Sequence, residues 1–138
     1  MRSFELLDHT ADLFLRARGD SLAELAVACA EGMFSILVGE GDVEERTTVE
    51  IALEAEDAEE LVHAWLRELL FRFSAEGVAF RRFDVHEAAA TRLRATCSGE
   101  PFDPERHGGG IEIKAVTYHG FKVRHDQGGW LAEVLFDA

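Results

Sequence analysis

Residues 57–77 read DAEELVHAWLRELLFRFSAEG, and this stretch decides the fold. Asp57, followed three residues later by Glu60, has the form of a capping box, in which each side chain satisfies a backbone N–H at a helix start. Leu61, Val62, Trp65, Leu66, Leu69, Leu70 and Phe73 then recur at three- and four-residue intervals and make a wide apolar stripe. Gly77 supplies the residue type that ends helices in the left-handed conformation. His63, between Val62 and the stripe residue Trp65, is expected on the helix surface. A helix with one broad apolar face must bury it, so its partners have to be found on either side in the chain.

Upstream, Val49, Ile51 and Leu53 alternate with Glu50, Ala52 and Glu54, the pattern of a half-buried strand. An acidic loop over residues 39–45 precedes it. Before that loop, Ser21 and Glu24 form a second capping box, and Leu22, Leu25, Ala26, Cys29, Met33, Ile36 and Leu37 share one face of a helix that ends near Gly39 and is weakened at Gly32. Phe4 and Leu6, then Leu13, Leu15 and Ala17, give two short strands flanking the polar segment Asp8-His9-Thr10-Ala11-Asp12.

Downstream, Val78, Phe80, Phe83 and Val85, then Leu93, Ala95 and Cys97, predict two strands, with a bulge at the break between Arg81 and Arg82. Residues 100–110 hold both prolines and a glycine triplet and read as a long loop. Ile111 to Tyr118, Phe121 to His125 and Trp130 to Phe136 follow as strands, the last two joined in a hairpin through residues 126–129. No repeat or linker interrupts the chain. The order predicts a single α+β domain over residues 1–138, with two α-helices packed on one face of a largely antiparallel β-sheet.

The chain has 138 residues, 47% of them apolar, enough to bury a core without a metal or disulfide staple. Its 27 acidic residues against 14 basic ones leave a formal charge of −13. Such a field repels the phosphate backbone of nucleic acid, and no basic run longer than Arg81-Arg82 offsets it, so direct nucleic-acid binding is not expected. Cys29 and Cys97 fall within apolar patterns, fit no metal-ligand spacing and are read as reduced core residues. The N-terminal residues lack a signal peptide's apolar stretch and no segment is long enough to span a membrane, so a cytoplasmic protein is expected.

Few residues stand out for chemistry. Asp12 opens an apolar strand and on its own reads as a turn cap, but Asp137 and Ala138 set a side-chain carboxylate beside the terminal one, and clustered oxygens are what hard cations such as calcium or magnesium require. Spacing alone leaves a solvated, frayed terminus as the alternative. None of the six histidines pairs at the i, i+4 spacing of a zinc helix, and His86 and His125 are expected to be exposed on strands. Lys114 is one of only two lysines and directly follows the long loop; it reads equally as a phosphate or carboxylate binder and as an exposed strand lysine. A phosphate-binding glycine loop, a nucleophile elbow and a reactive cysteine are all missing, which favours a binding protein over an enzyme.

Four stretches together resemble the archease family: Asp8-His9-Thr10-Ala11-Asp12, the helix from Glu59 to Leu70, the run from Gly99 through Lys114 to His119, and the ending from Gly129 to Ala138. The resemblance spans nearly the whole chain. It implies an activator of the GTP-dependent RNA ligase of tRNA splicing, one that speeds formation of the ligase–GMP intermediate, permits multiple turnovers and broadens the ligase's nucleotide use. It further implies a divalent cation, calcium in the first instance, held by Asp12, Asp137 and Ala138, with Lys114 contributing to activation beside Asp12 and Asp137. The chain departs from the family pattern at Ala64, where an acidic residue is common, and at Gly108-Gly109-Gly110, which is expected to loosen the loop before Lys114. Competing expectations are a chaperone-like interaction module and a metal-dependent phosphoester hydrolase.

Overall fold

A computed structural model of the chain describes residues 1–8, 13–39 and 41–138. These form β1 (Ser3–Asp8), β2 (Leu13–Gly19), α1 (Leu22–Val38), β3 (Thr47–Glu54), α2 (Ala58–Glu76), β4 (Val78–Ala89), β5 (Arg92–Pro101), a single-turn α3 (Pro104–His107), β6 (Ala115–Val116), β7 (Lys122–Asp126) and β8 (Gly129–Asp137). The α+β class stands, and all the strand pairings are antiparallel. The strands divide between two sheets: one runs β1-β2-β8-β6, with β7 also on β8, and the other runs β3-β5-β4. The segment from His9 to Asp12, read as a polar turn, lies outside the described residues.

Both long helices start where their caps place them. The Asp57 side chain accepts from the Glu60 N–H at 2.8 Å and the Ser21 hydroxyl from the Glu24 N–H at 3.1 Å. Glu24 returns its bond to the backbone of Asp20 at 3.2 Å, one residue outside the cap. Gly77 ends α2 in the left-handed conformation (φ 71°), its N–H directed to the carbonyls of Arg72 and Phe73.

The core lies where α1 touches both sheets. At Gly32 a Cβ would stand 2.6 Å from the Leu15 side chain and 3.2 Å from that of Phe4, so the missing side chain lets α1 lie close on β1 and β2. Two residues on, Phe34 meets Phe73 of α2 and Phe80 and Phe83 of β4 at ring distances of 5.7–6.0 Å. Trp65 is fully buried and its indole N–H donates to the Ala26 carbonyl at 2.9 Å, fastening α2 to α1. Trp65, Leu61, Leu66 and Leu69 are all wholly enclosed, each stabilising the fold by roughly 1.5–3 kcal/mol. Cys29 and Cys97 are buried and unpaired, as their patterns predict, and burial pushes both thiols up to about 12.

Several expectations need correction. His63 is not on the helix surface; it is wholly buried, stacked on Tyr118 at 3.7 Å and edge-on to Phe121 at 4.9 Å. Among the described residues neither ring nitrogen finds a hydrogen-bond partner, and burial, followed by the nearby Arg67 charge, lowers the affinity of the imidazole for a proton. The strand expected over residues 111–118 shrinks to Ala115–Val116, because residues 108–111 instead pack on the end of α1: the Ile111 N–H donates to the Ile36 carbonyl at 2.8 Å. A Cβ on Gly110 would stand 2.0 Å from that same carbonyl, so the glycine serves close approach and not slack. Nor is the 100–110 stretch all loop: β5 runs through Pro101, and Asp103 caps α3 with Pro104 at its first position. The bulge expected between Arg81 and Arg82 is present as a register shift between Phe80 and Arg82, with another between Val85 and Glu87. Among the described residues no helix is long and apolar enough to cross a membrane.

Candidate metal and partner-binding site

β8 brings the C-terminal site residues into the sheet. Phe136 is fully buried and pairs with Leu13 of β2 on one side and Val116 of β6 on the other. Side chains alternate along a strand, so the next residue, Asp137, is exposed. Asp137 pairs with Ala115, and its carbonyl accepts the backbone N–H of Lys114 at 2.6 Å. Lys114 is also exposed and lies one residue before β6, not within a strand as its sequence context suggests. Thr117 closes the far side of this ladder, its N–H and hydroxyl both donating to the Leu135 carbonyl at 3.1 Å.

The structure thus brings together Lys114, Asp137 and Ala138. Asp12 lies outside the described residues, although its chain neighbour Leu13 is the Cα partner of Phe136. Among the described residues, a set that lacks Asp12, no three His, Cys, Asp or Glu side chains gather at a spacing suited to a metal. The donors that Asp137 and Ala138 offer are oxygens, the type a hard divalent cation takes, so the residues present fit such an ion in kind.

A groove of about 300 Å³ adjoins this strand end, with Arg67, Leu70 and Phe71 of α2 facing Lys114 and Val116 across it. Phe71 is 56% exposed.

Sequence reasoning missed a second polar constellation. Glu100 is 1% exposed, yet its carboxylate accepts from the Glu44 backbone N–H at 2.6 Å, from Arg106, and from His107 Nε2 at 3.0 Å. The Asp103 N–H donates to His107 Nδ1 at 2.9 Å, which leaves Nε2 as the nitrogen that carries hydrogen toward Glu100. The Glu44 N–H, opposed by burial and reinforced by His107 and Arg106, lowers the Glu100 carboxyl to about 2. His107 is wholly buried, and its own carbonyl accepts from the Gly41 N–H at 2.7 Å, so the cluster clamps the acidic 41–46 segment onto α3. The available signal was Asp103-Pro104, an N-cap followed by a proline at the first helical position.

Two antiparallel sheets joined by a pair of helices, with a carboxylate and a lysine at one strand end, define a small α+β protein. Similarity makes the class specific. Residues 4–138 match the model of the archease protein family (MTH1598/TM1083). The chain is 39% identical to the protein archease of Methanopyrus kandleri, covering 97% of this chain and 98% of that one. It is 38% identical to the protein archease of Pyrococcus furiosus, covering 99% of each. The solution structure of Methanobacterium thermoautotrophicum protein 1598 superposes with a TM-score of 0.76 at 32% identity over 98% of both chains. A crystal structure from Thermotoga maritima, described as an archease and possible chaperone, gives a TM-score of 0.62 at 25% identity over 96% of this chain and 94% of that one. The chain belongs to the archease family.

Proposed function

We propose that this protein is a non-catalytic activator of the GTP-dependent RNA ligase of tRNA splicing. On this reading it promotes guanylylation of the ligase, sustains multiple turnovers and broadens nucleotide use. Asp12, Asp137 and Ala138 hold a divalent cation, calcium in the first instance, and Lys114 acts beside them. Besides family membership, the observation that carries the reading is the 2.6 Å bond from the Lys114 N–H to the Asp137 carbonyl. It sets an ammonium-bearing residue next to the carboxylate strand end.

The chemistry divides by charge. A bound divalent cation neutralises carboxylates that would otherwise repel one another and the phosphates of a nucleotide. Asp12 and Asp137 orient that charge, and Lys114, as a compact and mobile cation, is suited to a phosphate or carboxylate of the partner. With a net charge of −13, the protein acts on the ligase and not on RNA directly.

The test is formation of ligase–GMP from GTP, using the ligase of the same organism alone, with the wild-type protein, and with Asp12→Ala or Asp137→Asn. Wild type is expected to raise the guanylylation rate and each variant to lose at least about tenfold of that stimulation, as expected when a charged group at a functional site is removed. Stimulation kept in full by both variants would sink the acidic site, and no stimulation by wild type would sink the function. The second reading, a chaperone-like module, draws on the description of the Thermotoga maritima relative. It predicts protection of unfolded clients that is indifferent to Asp12.

A further inference from the structure

In so acidic a chain, most arginines are matched to carboxylates: Arg2 to Glu31, Arg16 to Glu133, Arg72 to Glu68, Arg82 to Asp84 and Arg94 to Glu87 are examples. Arg67 and Lys114 are exceptions, for among the described residues neither makes a salt bridge, yet both line the groove beside the Asp137 strand end. Four other surface hollows each include carboxylates, such as Asp126 in the one beside Arg18 and Asp42 in the one beside Arg81. The Arg67 groove contains none; its remaining lining is aliphatic or hydroxyl apart from Phe71. Phe71 lies one turn after Arg67 on the same helix face and is more than half exposed, while Trp65 on the same helix is sealed in the core. Two unmatched cations around an exposed aromatic ring call for an anion attached to an apolar body.

We propose that the groove between Arg67, Phe71 and Lys114 seats an acidic segment of the RNA ligase, an apolar side chain resting on Phe71 with carboxylates toward Arg67 and Lys114. This rests on the function proposed above and names the docking contact for it. A peptide segment suits the groove better than RNA does. The aliphatic floor formed by Leu70, Ala115 and Val116 suits an apolar side chain and carries no amide or carboxylate side chain to read a base edge. The Lys114–Asp137 backbone bond makes the groove continuous with the acidic strand end, so a segment docked here brings the ligase to Asp137.

The experiment is titration calorimetry of the same-organism ligase, without GTP or RNA, into wild type, Arg67→Glu and Phe71→Ser, at low and moderate sodium chloride, with melting curves and circular dichroism of each variant. Both substitutions are at exposed positions and should leave melting unchanged. Each is expected to weaken ligase binding by about tenfold or more, and Arg67→Glu to flatten the salt dependence as well. Guanylylation should be restored at saturating concentrations of either variant. If wild type binds and stimulates while both variants bind equally well, the groove is not the docking site and the ligase reading stands. Should a single-stranded RNA or GTP bind wild type in an Arg67-dependent manner while ligase affinity is untouched, the occupant is a nucleotide and the proposal is wrong. Failure of wild type to bind or stimulate the ligase overturns both readings together.

Discussion

Glu100 shows how one buried carboxylate can hold a segment in place through the hydrogen bonds it accepts. Its carboxyl is lowered from the ordinary 4.5 to about 2, chiefly by the Glu44 N–H. A carboxyl depressed in the fold adds stability that is complete above pH 4.5, where it is ionised both folded and unfolded, and that is lost as pH falls toward about 2. Glu100→Gln keeps the shape but lacks the charge, so its melting temperature at neutral pH should fall and its decline between pH 4.5 and 2 should be shallower than that of wild type. Melting curves across that range check this; an acid limb superposable on wild type would contradict it. The sequence did not disclose this residue, because a glutamate between Gly99 and Pro101 looks like loop until three donors, one from the 41–46 segment and two from α3, converge on it. His63 was misread for a related reason. Polarity placed it outside, yet the rings of Tyr118 and Phe121, distant in sequence, cover it.

At the scale of elements, local signals succeeded wherever the cause is local. Both caps, the Gly77 stop and the bulge at Arg81-Arg82 depend on residues a few positions apart, and each was legible. The 111–118 strand failed because Gly110 and Ile111 are held by the end of α1, which no periodicity within 111–118 can announce. The division into two sheets is likewise a matter of which strands meet across the chain, and order alone left it open. Glycines test this difference between local and distant causes. A Cβ on Gly99 would stand 1.9 Å from the Ala79 carbonyl, where β5 meets the first bulge of β4, whereas Gly77 has nothing within 4 Å and only its positive φ to defend. Gly99→Ala should therefore cost about 2–3 kcal/mol through forced backbone displacement, and Gly77→Ala about 1 kcal/mol through left-handed strain. Urea unfolding of the two variants gives the order, and the reverse order would contradict this account of the bulge.

For the whole molecule, charge and fold lead to the same conclusion. The net charge is −13, and most of the cations the chain does carry are held by its own carboxylates. Of those left without a salt bridge among the described residues, Arg67 and Lys114 meet at one end of a strand, where the β6–β8 ladder gathers Asp137, Ala138 and Lys114 with the Arg67 groove alongside. The site residues could be named from the sequence through the family motifs, but their meeting could not, since the C-terminal strand had first to be threaded between β2 and β6. The central claim is that this assembly lets a ligase work repeatedly. The most direct measurement is joining of RNA ends bearing a 2′,3′-cyclic phosphate and a 5′-hydroxyl, with substrate in roughly tenfold excess over the same-organism ligase so that release and re-guanylylation are required. Wild-type protein is predicted to carry joining well beyond one product per ligase. Joining that stops at a single turnover with the protein present would contradict the account.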